Sequence, residues 1–277
     1  MLVHLSRFNK PAIIFPYKRM TMIDLRTGSC LNLALDLEDE SIDCTVTSPP
    51  YNKRGVGGGL FRKIKYQDFD DTLPEDEYQE QQIELLDIIY DKTKEGGSLF
   101  YNHKVRYDKG GAISPWQWLT KTKWNIREEI IWNRGSGPEI SGYRFIQTDE
   151  RIFWLCKGSK HPRLPRRSAN WTSVWKFGPE MKNPHPAPYP IQLPARCIQA
   201  VMSEPGIVFD PYSGSGTTGL VATLLGHDYI GFDLSEEYHD MARERIANPS
   251  KNDLRKFSDE TGLAAESDTD VFTLAQS

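Results

Sequence analysis

The chain has 277 residues, a mass of 31.7 kDa and a formal net charge of −4, with 38% hydrophobic, 11% aromatic and 26% charged residues. That length permits one large domain, or one domain with a small appendage, and needs no disulfide or metal staple. Ordinary composition excludes a fibrous or wholly disordered chain, and no apolar run approaches the ~20 residues of a membrane span.

Residues 1–21 read as an N-terminal extension of mixed polarity, without the apolar core of a secretory signal. Residues 42–47 (IDCTVT) form a short β-branched strand that Ser48, Pro49 and Pro50 terminate. A basic loop follows, with glycines at 55, 57, 58 and 59. Residues 75–93 place Tyr78, Ile83, Leu86 and Tyr90 at near-helical spacing between Pro74 and Gly96. Residues 98–102 form a strand, and 126–133 and 150–157 an antiparallel pair around a Gly/Pro turn. The stretch 158–190, with seven prolines, predicts an irregular insertion. Helix 192–203, strand 206–210, helix 217–226, strand 228–233 and helix 235–248 complete the alternation. From Pro249 the chain holds six acids and three bases, which predicts a disordered or loosely docked acidic tail. Alternating strands and helices indicate an α/β sheet covered on both faces. The expected divisions are 1–21, 22–157, 158–184, 185–248 and 249–277.

The four cysteines at 30, 44, 156 and 197 form no CxxC pair, so no metal cluster or disulfide framework is expected, and a reduced cytoplasmic setting fits. The charge is segregated. Between 151 and 196 nine Lys/Arg face one Glu, a surplus of +8, and 53–65 carries five bases and no acid. Segregated positive charge suits a polyanion.

Two loops carry chemistry. After the strand ending at Asp210, the segment Pro211-Tyr212-Ser213-Gly214-Ser215-Gly216-Thr217-Thr218 joins strand to helix. Such a turn lets backbone approach a ligand and offers helix N–H groups to an anion. No lysine follows the glycines, which sets aside a phosphate-cradling loop. Asp233, ending the next strand, suits a ribose diol, and Asp210 an ammonium group; carboxylate, ammonium and ribose together describe S-adenosylmethionine. At the other loop, Ser48-Pro49-Pro50-Tyr51, the two prolines remove N–H donors. Carbonyl acceptors, a hydroxyl and an aromatic face remain, which suit a planar base bearing an exocyclic amine.

TSPPY together with FDPYSGSGTT resembles the DNA amino-methyltransferases, which methylate cytosine N4 or adenine N6; the order, SPPY first and glycine loop last, is that of their β permutation group. The resemblance covers about residues 22–248. It implies a Rossmann-like methyltransferase fold, mostly parallel, seven-stranded with one reversed strand, and a small target-recognition insertion at 158–184. It also implies S-adenosylmethionine as cofactor, held by Asp210, Pro211, Tyr212, Ser213, Gly214, Gly216, Thr217, Thr218, Asp233 and Ser29. Catalysis would fall to Ser48, Pro49, Pro50 and Tyr51, on a base flipped out of duplex DNA. Lys53, Arg54, Arg62, Lys63, Arg163, Arg166 and Arg167 would hold phosphates. Serine before PPY goes mostly with cytosine N4, so N4-cytosine is expected and N6-adenine is the alternative. An RNA methyltransferase would share both motifs. A restriction-modification setting is implied, with a cognate endonuclease acting separately and a nucleoid-associated cytoplasmic location. Cytosine-C5 chemistry is set aside because no cysteine follows a proline. Thr27-Gly28-Ser29-Cys30 stands where the family often has Gly-Asp.

Overall fold

The computed structural model describes residues 20–52, 73–135, 137, 142–159, 163–180 and 188–263. Ten strands and seven helices occur among them. In chain order they are β1 (Ile23–Thr27), α1 (Cys30–Leu35), β2 (Ile42–Thr47), α2 (Glu75–Lys92), β3 (Thr93–His103), β4 (Arg106–Asp108), β5 (Gly111–Ile113), α3 (Trp116–Leu119) and β6 (Asn125–Asn133). There follow β7 (Asp149–Cys156), β8 (Val174–Lys176), α4 (Gln192–Val201), β9 (Ile207–Asp210), α5 (Thr217–Leu224), β10 (Asp228–Asp233), α6 (Glu236–Ala247) and α7 (Lys251–Thr261).

The main sheet has the order β1-β10-β9-β2-β3-β7-β6-β8. All neighbours are parallel except at β7, which runs against both β3 and β6. The expectation of one reversed strand in a mostly parallel sheet is met. The count is eight rather than seven, because Val174–Lys176 of the insertion pairs with β6. Trp175 in its middle is buried and drives that addition, since its neighbours 174 and 176 face outward.

Side chains alternate between two cores, as period-two burial requires. In β7, Ile152, Trp154 and Cys156 join the core beneath α4 and α5, whereas Phe153 and Leu155 join the one beneath α1, α2 and α3. In β3, Phe100 goes one way and Leu99 and Tyr101 the other. The helix linking β9 to β10 therefore lies on the face opposite the helix linking β2 to β3. Between the adjacent strands β9 and β2 the winding reverses, and a crevice opens at their carboxyl ends.

The tail departs from expectation. Lys251–Thr261 is helical, with Ser250 accepting from the Asp253 amide as N-cap and Gly262 closing it at φ 70°. Leu254 and Phe257 are buried, Phe257 within the α4–α5 core. Three ion pairs hold the polar rim: Arg245–Asp253 at 2.9 Å, Arg196–Glu260 at 2.6 Å and Lys256–Glu180 at 2.6 Å. Two of the acids that suggested a solvated tail, Asp253 and Glu260, pair with bases on α6 and α4, and the tail's Lys256 pairs with an acid of the insertion. Residues 264–277 lie outside the described residues.

Phe257→Ala should lower the unfolding free energy by about 3–5 kcal/mol, the range for a buried aromatic cut to alanine. Urea titration should show an earlier midpoint at unchanged slope. A midpoint equal to that of the parent protein would mean that α7 does not dock.

Candidate active site

The glycine loop sits at the carboxyl end of β9 and the SPPY loop at the carboxyl end of β2, on neighbouring strands. One group joins them. Asp210 is 0% exposed. Its Oδ1 accepts from Thr47 Oγ1 at 2.9 Å and the Tyr212 amide at 3.1 Å. Its Oδ2 accepts from Tyr189 OH at 2.8 Å and Thr218 Oγ1 at 2.9 Å. Burial pushes its pKa up to about 6, against the opposing pull of these four donors. The carboxylate expected to face an ammonium is turned instead to protein donors on four segments, and its acceptor capacity is filled.

The threonines are likewise engaged inward. Thr218 serves Asp210, and Thr217 Oγ1 accepts from Arg245 at 2.9 Å. Ser213 Oγ accepts from Tyr229 OH at 2.9 Å. What the loop offers outward is backbone and a mouth acid. Gly214 (φ 50°) and Gly216 (φ 72°) are left-handed, and a Cβ on Gly216 would come within 2.7 Å of the Ala242 Cβ, so this loop also needs glycine to pack on α6. Asp233 is partly exposed and accepts from the Gly214 and Ser235 amides, both at 2.9 Å; burial raises its pKa. β1 pairs with β10 so that Thr27 stands opposite Asp233, which brings Ser29, the N-cap residue of α1, to the same mouth. Tyr212 OH accepts from Gln82 of α2 at 3.2 Å, and Gln82 in turn accepts from Tyr101 at 3.0 Å.

On the β2 side, Ser48 Oγ lies 2.9 Å from Tyr51 OH. Tyr51 OH donates to Glu150 Oε2 at 2.9 Å, and Asn102 Nδ2 reaches Tyr51 OH at 2.8 Å, Glu150 Oε2 at 2.9 Å and Ser48 Oγ at 3.3 Å. Glu150 Oε1 pairs with Arg134 at 3.0 Å. The Tyr51 ring lies 4.5 Å from that of His103. Of the two carbonyls left by the prolines, that of Pro50 accepts from Tyr78 OH at 2.8 Å, whereas that of Pro49 accepts from no described residue. Asn102, Glu150 and Arg134 were not singled out from sequence. Their separations from Ser48 and Tyr51 leave no local signal, and only the pairing of β3 with β7 brings Asn102 opposite Ile152, near Glu150.

The basic surplus is smaller than the count suggests. Arg151 pairs with Glu129 and Asp149, Lys157 with Glu40, and Arg196 with Glu260. Arg167, expected on phosphate, donates instead to the carbonyls of Gln199 at 3.2 Å and Met202 at 2.8 Å at the end of α4, where the last carbonyls lack helical partners. Arg163, Arg166 and Lys176 are exposed. Lys53, Arg54, Arg62 and Lys63 lie outside the described residues. Between β6 and β7, Tyr143 and Phe145 are fully exposed (101% and 98%).

A family model described as DNA methylase, of the N6/N4 type, matches residues 42–244. The chain belongs to that family. It is therefore a DNA methyltransferase of the N4/N6 type, with DNA as its substrate. Among its relatives is the type II methyltransferase M.SmaI of Serratia marcescens, 29% identical over 270 residues, covering 79% of this chain and 89% of the relative. Another is M.ScaI of Streptomyces caespitosus, 26% identical over 86% of this chain and 85% of the relative. The fold is also that of the cytosine-N4-specific PvuII DNA methyltransferase (TM-score 0.66, 19% identity, 88% of this chain and 92% of that one) and of M1.HpyAVI in its SAM complex (TM-score 0.57, 20% identity, 81% and 100%). No described helix is long and apolar enough to cross a membrane.

Asp210 sets a pH dependence. Its folded pKa of about 6 lies above the ordinary carboxyl value of 3.8. The native state therefore binds more protons than the unfolded state between those two values, and stability falls as pH rises through that window. Asp210→Asn should flatten the decline by an amount on the order of 3 kcal/mol between pH 4 and pH 7. Denaturant midpoints at each pH provide the check; parallel curves for both proteins would show that Asp210 is not the group responsible.

Proposed function

We propose that this methyltransferase transfers a methyl group from S-adenosylmethionine to N4 of a cytosine flipped out of duplex DNA. The observation that carries the reading is the Thr47–Asp210 hydrogen bond, which locks the SPPY loop and the glycine loop edge to edge across β2 and β9. The residues at the crevice fit the cofactor chemically. Asp233 presents an acceptor for a ribose diol, and the first amides of α5 present donors for a carboxylate, as an anion at a helix N-terminus requires. Ser29 adds a hydroxyl beside Asp233. Asp210 acts by holding Thr218, Tyr189 and Tyr212 in place.

When bound, the cofactor supplies an electrophilic methyl on a sulfonium. The Ser48 hydroxyl and the Pro49 carbonyl accept the two hydrogens of the target amine. They favour a pyramidal nitrogen, whose freed lone pair attacks, and a proton leaves the methylated amine afterwards. Tyr51, backed by His103, packs against the base. Arg163 and Arg166 hold phosphates, and Tyr143 and Phe145 present aromatic faces toward a duplex opened by flipping. Cytosine is preferred because Ser48 precedes PPY, and a serine at that place goes mostly with cytosine N4 in the family. A restriction-modification role follows from the type II names of the relatives.

Ser48→Ala should lower turnover by roughly ten-fold or more with little change in DNA affinity, since the lost contact strengthens as the nitrogen pyramidalises. Nucleoside digestion and mass spectrometry of DNA methylated by the parent protein should show N4-methylcytosine. Finding N6-methyladenine alone would transfer the same chemistry to adenine, and methylation of RNA in preference to duplex DNA would overturn the substrate.

Arg163→Ala with Arg166→Ala should reduce the salt slope of log affinity for duplex DNA by up to about two, as expected for two phosphate contacts. An unaltered slope in a filter-binding titration would place DNA elsewhere on the surface.

A further inference from the structure

Tyr51 has one hydroxyl proton, and it goes to Glu150 Oε2. A tyrosine oxygen committed in this way can only accept from its other neighbours. Asn102 Nδ2 donates to it at 2.8 Å, so the 2.9 Å contact with Ser48 must be Ser48 donating to Tyr51. The Ser48 proton is then directed into the protein and its oxygen faces outward as an acceptor. The direction of the whole chain depends on its far end being a carboxylate that cannot donate. Arg134 faces its other oxygen: Nη1 lies 3.0 Å from Glu150 Oε1, on a buried pair whose side chains are 15% and 9% exposed. Among the described residues, Arg134 Nε and Nη2 are buried without hydrogen-bond partners. A guanidinium held at that cost is poor packing, and what it supplies is a fixed positive charge on Glu150.

We infer that Glu150, charged and held by Arg134, is a positioning residue that orients the Ser48 hydroxyl as a hydrogen-bond acceptor toward the target amine through Tyr51. The inference rests on the reading of Ser48 as the group that meets the amine, and it holds for cytosine or adenine alike. Glu150→Gln removes the constraint, because an amide nitrogen can donate to Tyr51; Tyr51 can then donate to Ser48, whose proton swings toward the amine and repels it.

The test is single-turnover methyl transfer from labelled S-adenosylmethionine to a duplex that the protein methylates, with duplex affinity measured alongside. Glu150→Gln should slow the transfer step roughly ten- to hundred-fold, as small misplacements at reacting centres do, while duplex affinity stays within about two-fold. In a Tyr51→Phe background the link is already cut, and adding Glu150→Gln should cost less than about two-fold, a non-additivity that separate structural effects do not show. Arg134→Gln with Glu150→Gln leaves no lone buried charge and should reproduce the slow transfer in a protein of near-parental melting temperature. A normal rate for Glu150→Gln, or the same fold loss with and without the Tyr51 hydroxyl, would overturn the role of Glu150. Ser48→Ala separates the two readings: a parental rate in that variant would overturn the assignment of Ser48 on which this one rests, and a slow Ser48→Ala beside a normal Glu150→Gln would overturn the Glu150 inference alone.

Discussion

A carboxylate taken wholly out of water must be compensated by donors, and the site is organised by how Asp210 meets that demand. Its four hydrogen bonds come from the end of β2, from the residue before α4's approach, from the first turn of α5 and from its own loop. Those are the segments that must converge for two substrates to meet. Thr47 immediately precedes Ser48, so the same carboxylate that shapes the glycine loop also sets where the SPPY loop begins. The winding reversal between β9 and β2 opens a crevice; Asp210 fixes the relation of its walls.

Behind that centre, α2 supplies polar groups that a purely apolar helix could not. Gln82 ties Tyr101 of β3 to Tyr212 of the glycine loop, and Tyr78 ties the Pro50 carbonyl to His103. Glu75 pairs with Arg106 through both carboxylate oxygens, and Asn52, left-handed at φ 50°, donates to Leu73 and Glu75 as the chain leaves the SPPY loop. These hydrogen bonds brace the SPPY loop from the side opposite Asp210.

The elements legible in the sequence were those with local signals. The β-branched run at 42–47, the antiparallel pair at 126–133 and 150–157 and the helix cap at Ser235 stand close to where the pattern puts them. Both motif loops land on adjacent strands. What escaped were features defined by distant partners. The three-residue β8 is a strand only because β6 lies beside it. The helix at 251–261 carries a cap, Ser250 to Asp253, and a closing Gly262, yet its acids looked solvent-bound because the bases they meet lie on other elements. Arg167 was read by charge, but the carbonyls at the end of α4 claim it. Glu150 sits between Asp149 and Arg151 at the start of β7, where nothing nearby announces Tyr51 ninety-nine residues away.

The reversal of β7 shortens the path by which the chain returns to the carboxyl edge of the sheet. A parallel strand must return across the whole sheet before it can contribute a second time to the carboxyl edge. β6 and β7 instead pair antiparallel as neighbours, so Arg134 leaves that edge and Glu150 re-enters it after residues 135–149. Among its described residues the connection holds no helix, and an antiparallel connection needs none to reach the next strand. Changes of length or sequence there would leave the Arg134–Glu150 ion pair at its base in place.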